Sequence, residues 1–160
     1  FDLQQPQSIM SCCPPNADKY LAPTYDTTGK QVTLPSGNEV YQSGSVGESK
    51  RAILLIPDVY GWNGGRTRNI ADLFAEAGYF VVVPKLLAPG LQGGVDGDGL
   101  FANFDFSNPE HTAPGFPFMG SFDWEGNLHP KIADAVAYIK SQGATQIGGV
   151  GFCWGGWVLS

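Results

Sequence analysis

One cysteine stands in a setting that suits nucleophilic chemistry. Cys153 lies within Gly151-Phe-Cys-Trp-Gly-Gly156, with glycine two residues before it and two and three residues after it. This spacing is typical of a sharp turn that holds a nucleophile above the end of a strand, where side chains at the glycine positions would clash. We therefore predict that Cys153 is a catalytic nucleophile and that Gly151, Gly155 and Gly156 permit the turn.

A thiol in such a turn needs two kinds of electrostatic support. The thiolate is the attacking form, and the positive end of a helix that begins after the turn would stabilise it. The carbonyl oxygen of a substrate becomes negative during the attack, and backbone N–H groups stabilise that charge. We predict that these donors are the N–H groups of Trp154, which follows the nucleophile, and of Val59, which follows an earlier strand.

The elements that position these residues follow from the hydrophobic pattern. The apolar runs 52–56 and 79–83 are continuous, as in strands that are covered on both faces. Between them lies a helical stripe formed by Ile70, Leu73, Phe74 and Ala77, followed by Gly78 at the position of a C-terminal cap. The order strand, helix, strand predicts a βαβ unit, in which parallel strands are joined by a crossover.

Further elements flank this unit. Residues 31–42 alternate on either side of Pro35-Ser-Gly-Asn38, which predicts a hairpin. A second helix after Pro130 is indicated by a stripe of Ile132, Val136 and Ile139, and residues 146–152 form a third strand that leads into the cysteine turn. Residues 85–129 are rich in glycine, proline and aromatic side chains without a period, which indicates either a lid or binding loop or a variable insertion.

Composition limits the class of protein. A chain of 160 residues with 42% apolar side chains can bury one core, and its net charge of -6 would repel nucleic acid and anionic membrane surfaces. Its longest apolar runs are far shorter than the roughly 20 residues of a membrane-spanning helix. No secretory signal pattern is visible at the N-terminus, so a cytoplasmic location is the default expectation.

The three cysteines do not predict a disulfide framework or a metal site. Cys12 and Cys13 are adjacent, where a disulfide would be badly strained, and neither His111 nor His129 lies at a metal-ligand spacing from them. The glycines from residue 149 to residue 155 are one residue too widely spaced for a dinucleotide-binding loop. No cofactor is therefore predicted.

Several segments together resemble the dienelactone hydrolase family of the α/β-hydrolase fold, whose eukaryotic members include carboxymethylenebutenolidase-like proteins. The cysteine motif looks like that family's nucleophile motif. Three segments before the cysteine resemble the family's upstream signatures and occur in the same order. They are Ile56-Pro-Asp-Val-Tyr-Gly-Trp62, Thr67-Arg-Asn-Ile-Ala-Asp72 and Gly78-Tyr-Phe-Val-Val-Val-Pro84. The resemblance extends from about Val32 to Ser160 and is poor over residues 88–128.

The resemblance implies a partial α/β-hydrolase fold, with a mostly parallel sheet, flanking helices and an irregular lid-like insertion. We expect residues 1–30 to form an N-terminal extension and residues 31–160 to form the N-terminal portion of a single hydrolase domain, truncated after the nucleophile turn. By the same resemblance, Asp58 is the acidic residue near the thiol. The family's carboxylate-binding arginine would fall near Pro89, and the nearby Arg66 and Arg68 are expected to be surface charges at a helix N-terminus.

The implied activity is hydrolysis of small-molecule esters or lactones by a cysteine nucleophile in a Cys-Asp-His type triad. In the family, the triad acid and histidine follow the nucleophile, so both are expected beyond Ser160. His111 and His129 precede it and are expected to be loop or cap residues, and residues 1–160 alone are expected to be nearly inactive. The alternative is a catalytically inactive hydrolase-like scaffold or binding module. Oligomeric state and substrate identity stay open.

Overall fold

A computed structural model of the chain describes residues 26–160. The expectations about Cys12 and Cys13, and about most of the N-terminal extension, lie outside the described residues. Within residues 26–160, no helix combines the length and apolar character that crossing a bilayer would require.

The described residues build one mixed sheet of five strands in the order β1-β2-β4-β3-β5. The strands are β1 (Lys30–Thr33), β2 (Glu39–Ser43), β3 (Arg51–Ile56), β4 (Phe80–Pro84) and β5 (Gln146–Gly151). The helices are α1 (Thr67–Glu76), α2 (Pro109–Gly120), α3 (His129–Ser141) and α4 (Trp154–Val158). A 3₁₀ turn at Leu91–Gly93 and a π-helical turn at Trp124–Leu128 lie between β4 and α3.

The strand pairing confirms the predicted βαβ unit and hairpin. Strand β3 pairs in parallel with β4 on one side and with β5 on the other. The hairpin strands β1 and β2 are antiparallel, and β2 continues the sheet by pairing antiparallel with β4. The sheet is therefore parallel where β5, the strand before Cys153, lies and antiparallel at the opposite side.

Alternate side chains of the two central strands feed two different cores. Leu54 of β3 and Val82 of β4 face a core shared with α3 and α4, whereas Leu55 and Val83 face a core shared with α1. Because both faces of these strands are covered, their sequences are continuously apolar rather than alternating. This burial is the physical basis of the runs seen in the sequence.

The prediction of which face of α1 is buried was wrong in part. Leu73 is 54% exposed, whereas the polar side chains of Arg68 and Asp72 are buried. Asp72 is buried with partners, since its carboxylate accepts hydrogen bonds from the Tyr41 hydroxyl at 2.7 Å and from the Thr28 N–H at 3.0 Å. Paired polar groups can occupy a buried helix face, and periodicity of apolar residues alone cannot find such a face.

The segment between β4 and α3 is better ordered than its sequence suggests. It contains helix α2, which was not predicted, and its side chains Leu86, Leu100 and Leu128 are fully buried. Helix α3 confirms the predicted stripe, because Ile139 is buried and Ile132 and Val136 pack against the same core. The irregular segment therefore contributes to the core of the fold.

The strand order reverses between β3 and β5. The chain leaves β3 through α1 to reach β4 on one side, and leaves β4 through α3 to reach β5 on the other side of β3. Parallel α/β sheets bind ligands where the strand order reverses in this way. The cysteine turn follows β5 directly, so it lies at this point of the sheet.

We expect a leucine-to-alanine change to lower the free energy of unfolding much more in strand β3 than on the exposed face of α1. Leu55→Ala should lower the free energy of unfolding by about 2–5 kcal/mol, because Leu55 is fully buried between the sheet and α1. The matched control is Leu73→Ala, which should change it by less than about 0.5 kcal/mol. Urea denaturation measures both, and equal losses in the two variants would contradict the assignment of the helix face.

Candidate active site

The backbone at Cys153 has an uncommon conformation. Strand β5 ends at Gly151, helix α4 begins at Trp154, and between them Cys153 has φ 52° and ψ -116°. A non-glycine residue at positive φ costs on the order of 1–3 kcal/mol and persists only where its surroundings enforce it. The thiol is exposed at this turn. Such strain is typical of functional sites.

Two of the three neighbouring glycines are required by sterics. A Cβ at Gly155 would lie 2.5 Å from the carbonyl oxygens of Ile56 and Pro57, and a Cβ at Gly151 would lie 2.2 Å from the carbonyl oxygen of Gly155. At Gly156 the nearest atom to a Cβ is 3.7 Å away, an ordinary contact. Sterics therefore require glycine at positions 151 and 155. The prediction that a side chain at Gly156 would clash is wrong.

The register of β3 and β5 brings the two candidate loops side by side. Ile56 pairs with Gly151 at the end of the parallel ladder, and the Phe152 N–H donates to the Ile56 carbonyl at 3.2 Å. Asp58 and Cys153 each lie two residues beyond this pair. The turn after β3 and the cysteine turn therefore leave neighbouring strands at the same level.

Among the described residues, the two loops carry two backbone N–H donors that are unpaired. Within residues 26–160, the N–H groups of Val59 and Trp154 have no hydrogen-bond acceptor. The neighbouring amides are engaged, since the Gly155 N–H donates to the Phe152 carbonyl at 2.8 Å and the Gly61 N–H donates to the Asp58 carbonyl at 3.1 Å. Unpaired N–H groups on the cysteine turn and on the loop after the neighbouring strand have the chemistry that an oxyanion requires.

The Asp58 carboxylate is directed to its own turn. Its Oδ1 accepts a hydrogen bond from the Tyr60 N–H at 2.9 Å, and no hydrogen bond joins it to Cys153 in the described part of the chain. Burial raises the pKa of Asp58, and the Tyr60 N–H opposes that rise. The residue thus lies on the predicted loop, while a role at the thiol stays a proposal.

Apolar side chains from the irregular segment adjoin the two loops. Leu100 and Phe104 are buried with Val59 and Tyr60 in a third cluster. The side chains that pack against this cluster are Leu91, Phe101, Phe118, Met119 and Trp154. The segment predicted as a lid or insertion therefore forms an apolar wall beside the candidate site.

The two histidines have partners in the irregular segment. His111 Nδ1 accepts a hydrogen bond from the Asp105 N–H at 2.9 Å, and the ring makes an edge contact with Phe101 at 5.0 Å between centroids. His129 begins α3 and lies 5.6 Å from the Trp124 ring. These contacts fit the predicted loop and cap positions, and neither histidine makes a hydrogen bond to Cys153 among the described residues.

Arg68 is a correction to the sequence interpretation. It is 6% exposed rather than a surface charge, and its Nη2 forms an ion pair with Asp96 at 2.7 Å. Its guanidinium lies 4.7 Å from the centroid of the Trp62 ring, and Lys85 Nζ lies 4.9 Å from the same centroid. Arg66 is exposed at the start of α1, as predicted.

Asp98 was missed by the sequence reasoning. Its side chain is fully buried in the irregular segment, and its Oδ2 accepts a hydrogen bond from the Trp62 N–H at 2.8 Å. Burial raises the pKa of Asp98 to about 6, while the Trp62 amide and the positive charges of Lys131 and Lys85 act in the opposite direction. The available signal was an acidic residue between Gly97 and Gly99, in a glycine-rich stretch that also contains Asp96.

Comparison with known proteins identifies the family of the chain and agrees with its fold. The sequence model of the Dienelactone hydrolase family matches residues 39–159. The chain belongs to this family. The resemblance stated from the motifs is therefore confirmed, together with the α/β fold and membership of a family of hydrolases.

Individual relatives match over most of this chain. An endo-1,3;1,4-beta-D-glucanase of Zea mays is 34% identical over 77% of the chain and 34% of its own length. A carboxymethylenebutenolidase homolog of Homo sapiens is 29% identical over 82% of the chain and 48% of its own length. The chain thus spans half or less of the length of these relatives.

A solved structure supports the fold. The dienelactone hydrolase-like promiscuous phosphotriesterase P91 from metagenomic libraries superimposes with a TM-score of 0.52 at 15% identity, covering 82% of this chain and 52% of its own. At this level of identity the similarity concerns the fold alone. It agrees with the mixed sheet and flanking helices of the described residues.

The glycines of the cysteine turn offer a matched pair of variants. Gly155→Ala should lower the free energy of unfolding by about 1–3 kcal/mol, because its methyl group would collide with the carbonyl oxygens of Ile56, the last residue of β3, and of Pro57, which follows it. Gly156→Ala should leave stability unchanged or slightly raised, since space is available and alanine favours a helix. Urea denaturation compares them, and equal stability of the two variants would contradict this account of the turn.

The buried carboxyl of Asp98 gives a pH-dependent prediction. Folding disfavours its ionised form, so its contribution to stability is present at about pH 4 and is lost as the pH rises through about 6. Asp98→Asn does not titrate, and its advantage over the wild type should grow by roughly 3 kcal/mol between about pH 4 and about pH 7. Urea denaturation across this range measures the difference, and a difference that does not change with pH would refute the prediction.

Proposed function

We propose that the protein to which this chain belongs hydrolyses small-molecule esters or lactones by means of Cys153. The observation that carries the proposal is the exposed thiol on a strained turn, next to a loop in which one backbone N–H group has no acceptor. Membership of a hydrolase family supports the reaction class. The cysteine dependence and the substrate class are the parts that need a test.

The reaction proceeds in two steps at the sulfur. The Cys153 thiolate attacks the substrate carbonyl carbon, a C–S bond forms, and the carbonyl oxygen becomes an oxyanion. The N–H groups of Val59 and Trp154 donate to that oxygen. The C–O bond to the alcohol then breaks, and the base that took the thiol proton returns it to the departing alcohol. Water next attacks the thioester carbon, gives a proton to the same base, and the C–S bond breaks to release the acid and, with that proton, regenerate the thiol.

Asp58 is proposed to be the acidic residue that acts near the Cys153 thiol, because the loop after β3 and the cysteine turn leave neighbouring strands at the same level. Its hydrogen bond to the Tyr60 N–H also fixes the turn that contains Val59.

The acid and the base of the triad are proposed to lie outside residues 1–160. Both His111 and His129 have other contacts in the described structure, and both precede the nucleophile. The complete protein would supply an aspartate and a histidine from later loops. Without them, thioester formation is possible in principle but turnover is slow.

The apolar wall favours substrates with apolar acyl groups. Phe101, Phe118, Met119 and Trp154 adjoin the cluster next to the Val59 loop. In the described residues, the buried Arg68 is ion-paired with Asp96 and the half-buried Lys85 is ion-paired with Glu39. We therefore propose uncharged esters or lactones as substrates in preference to anionic ones.

The decisive experiment is replacement of the nucleophile in the full-length protein. Cys153→Ala should lower the kcat/KM for p-nitrophenyl acetate by at least about 10³-fold, because the proposed reaction passes through a thioester at Cys153. The matched controls His111→Gln and His129→Gln should stay within about threefold of the wild type, in keeping with their loop positions.

The same experiment separates enzyme from scaffold. Loss of activity only in Cys153→Ala, together with a mass increase of the wild type by one acetyl group at Cys153, supports the hydrolase. A wild-type protein that neither turns over esters nor is acetylated would favour a binding module, for which Phe116 and Trp124 are exposed aromatic contacts, 57% and 41% exposed respectively.

A further inference from the structure

The loop that contains Val59 is held in place from outside by the irregular segment. The Leu100 N–H donates to the Val59 carbonyl at 2.9 Å, and the Asp98 carboxylate accepts from the Trp62 N–H at 2.8 Å. These two bonds fix both ends of the turn, on opposite sides of Tyr60. Strand β3 itself ends before the turn, at Ile56.

The two segments touch through their backbones. A Cβ at Gly99 would lie 2.6 Å from the Val59 carbonyl oxygen and 2.6 Å from the Gly61 nitrogen. A Cβ at Gly61 would lie 2.6 Å from Asp98 Oδ2. Both glycines have positive φ, at 68° for Gly99 and 83° for Gly61. Because the approach is so close, a shift of Asp98 is transmitted directly to the turn.

The Asp98 carboxylate is costly for the fold. Its side chain is fully buried, and its Oδ1 has no hydrogen-bond partner among the described residues. The charged groups that face it are Lys85, which follows β4, and Lys131 on α3, whose Nζ donates to the Leu86 carbonyl at 2.8 Å. Burying a carboxylate with an unpaired oxygen opposes folding, so packing alone does not account for it.

We propose that Asp98 is a positioning residue, whose hydrogen bond to the Trp62 N–H holds the Val59 amide where the oxyanion of the acylation step forms. This inference rests on the proposed cysteine chemistry, since Val59 matters only if an oxyanion arises beside it. A charged acceptor makes a shorter and stronger hydrogen bond than a neutral one, which suits a group that must fix a backbone.

The experiment compares two reactions of the same thiol in the full-length protein. Acylation of Cys153 by p-nitrophenyl acetate passes through an oxyanion, and release of p-nitrophenolate reports its rate. Alkylation of Cys153 by iodoacetamide displaces iodide from a saturated carbon and forms no oxyanion. Both rates are measured at about pH 8, where a large fraction of an ordinary thiol is available as thiolate.

Three variants separate positioning from structure. Asp98→Leu has a similar shape but no acceptor, and we expect acylation to slow by about tenfold or more with alkylation within about twofold of the wild type. Asp98→Asn keeps a neutral acceptor, and acylation should slow by no more than about threefold. The matched control Asp96→Asn, in the same segment, breaks the Arg68 ion pair and leaves the Trp62 N–H bond intact, so both rates should stay within about twofold.

The outcomes are distinguishable from failure of the proposed function. If Cys153→Ala is acylated as fast as the wild type, the cysteine chemistry itself is wrong. If wild-type acylation requires Cys153 but folded Asp98→Leu is acylated at the wild-type rate, the positioning role is overturned. Parallel loss of acylation and alkylation, or an Asp98→Asn variant as slow as Asp98→Leu, overturns it as well. Should circular dichroism show Asp98→Leu to be unfolded, Asp98→Ser, whose hydroxyl is too short to replace the carboxylate, is tested by the same criteria.

Discussion

The close approach of helix α4 to the end of strand β3 is the constraint on which the candidate site depends. Gly155 lies so near the carbonyl oxygens of Ile56 and Pro57 that a single methyl group would collide with both. Gly151 lies equally near the backbone of Gly155. With the backbone confined on these two sides, Cys153 adopts a positive φ and its thiol is exposed. The position of the sulfur is thus fixed by backbone packing between two parallel strands.

The sequence was most informative where structure is decided locally or by complete burial. The continuous runs of β3 and β4 identified strands covered on two faces, and Gly78 marked the end of α1 with a φ of 89°. The face of α1 was predicted only in part, because Arg68 and Asp72 are buried by partners far away in the chain. Helix α2 was missed because Pro114 and Pro117 lie inside it and its pattern is not amphipathic.

The residues of the candidate site likewise differ in whether the sequence could predict them. The Cys153 turn could be predicted because its glycines and its cysteine lie within six residues. The Val59 loop could be placed because it follows a recognisable strand. Asp98 could not be found, since its burial and its bond to the Trp62 N–H arise from a segment that meets the loop only in the folded chain. Prediction from sequence therefore reaches the reacting group more readily than the residues that hold its surroundings.

The environment of Trp62 has an optical consequence. Trp62 is 1% exposed, whereas Trp124 and Trp157 are 41% and 61% exposed. A buried indole emits at shorter wavelength than exposed ones. The Trp62 ring also lies close to the cations Arg68 and Lys85, and Trp62 belongs to the same turn as Val59. The blue edge of the intrinsic fluorescence spectrum consequently reports on the state of this loop without any added label.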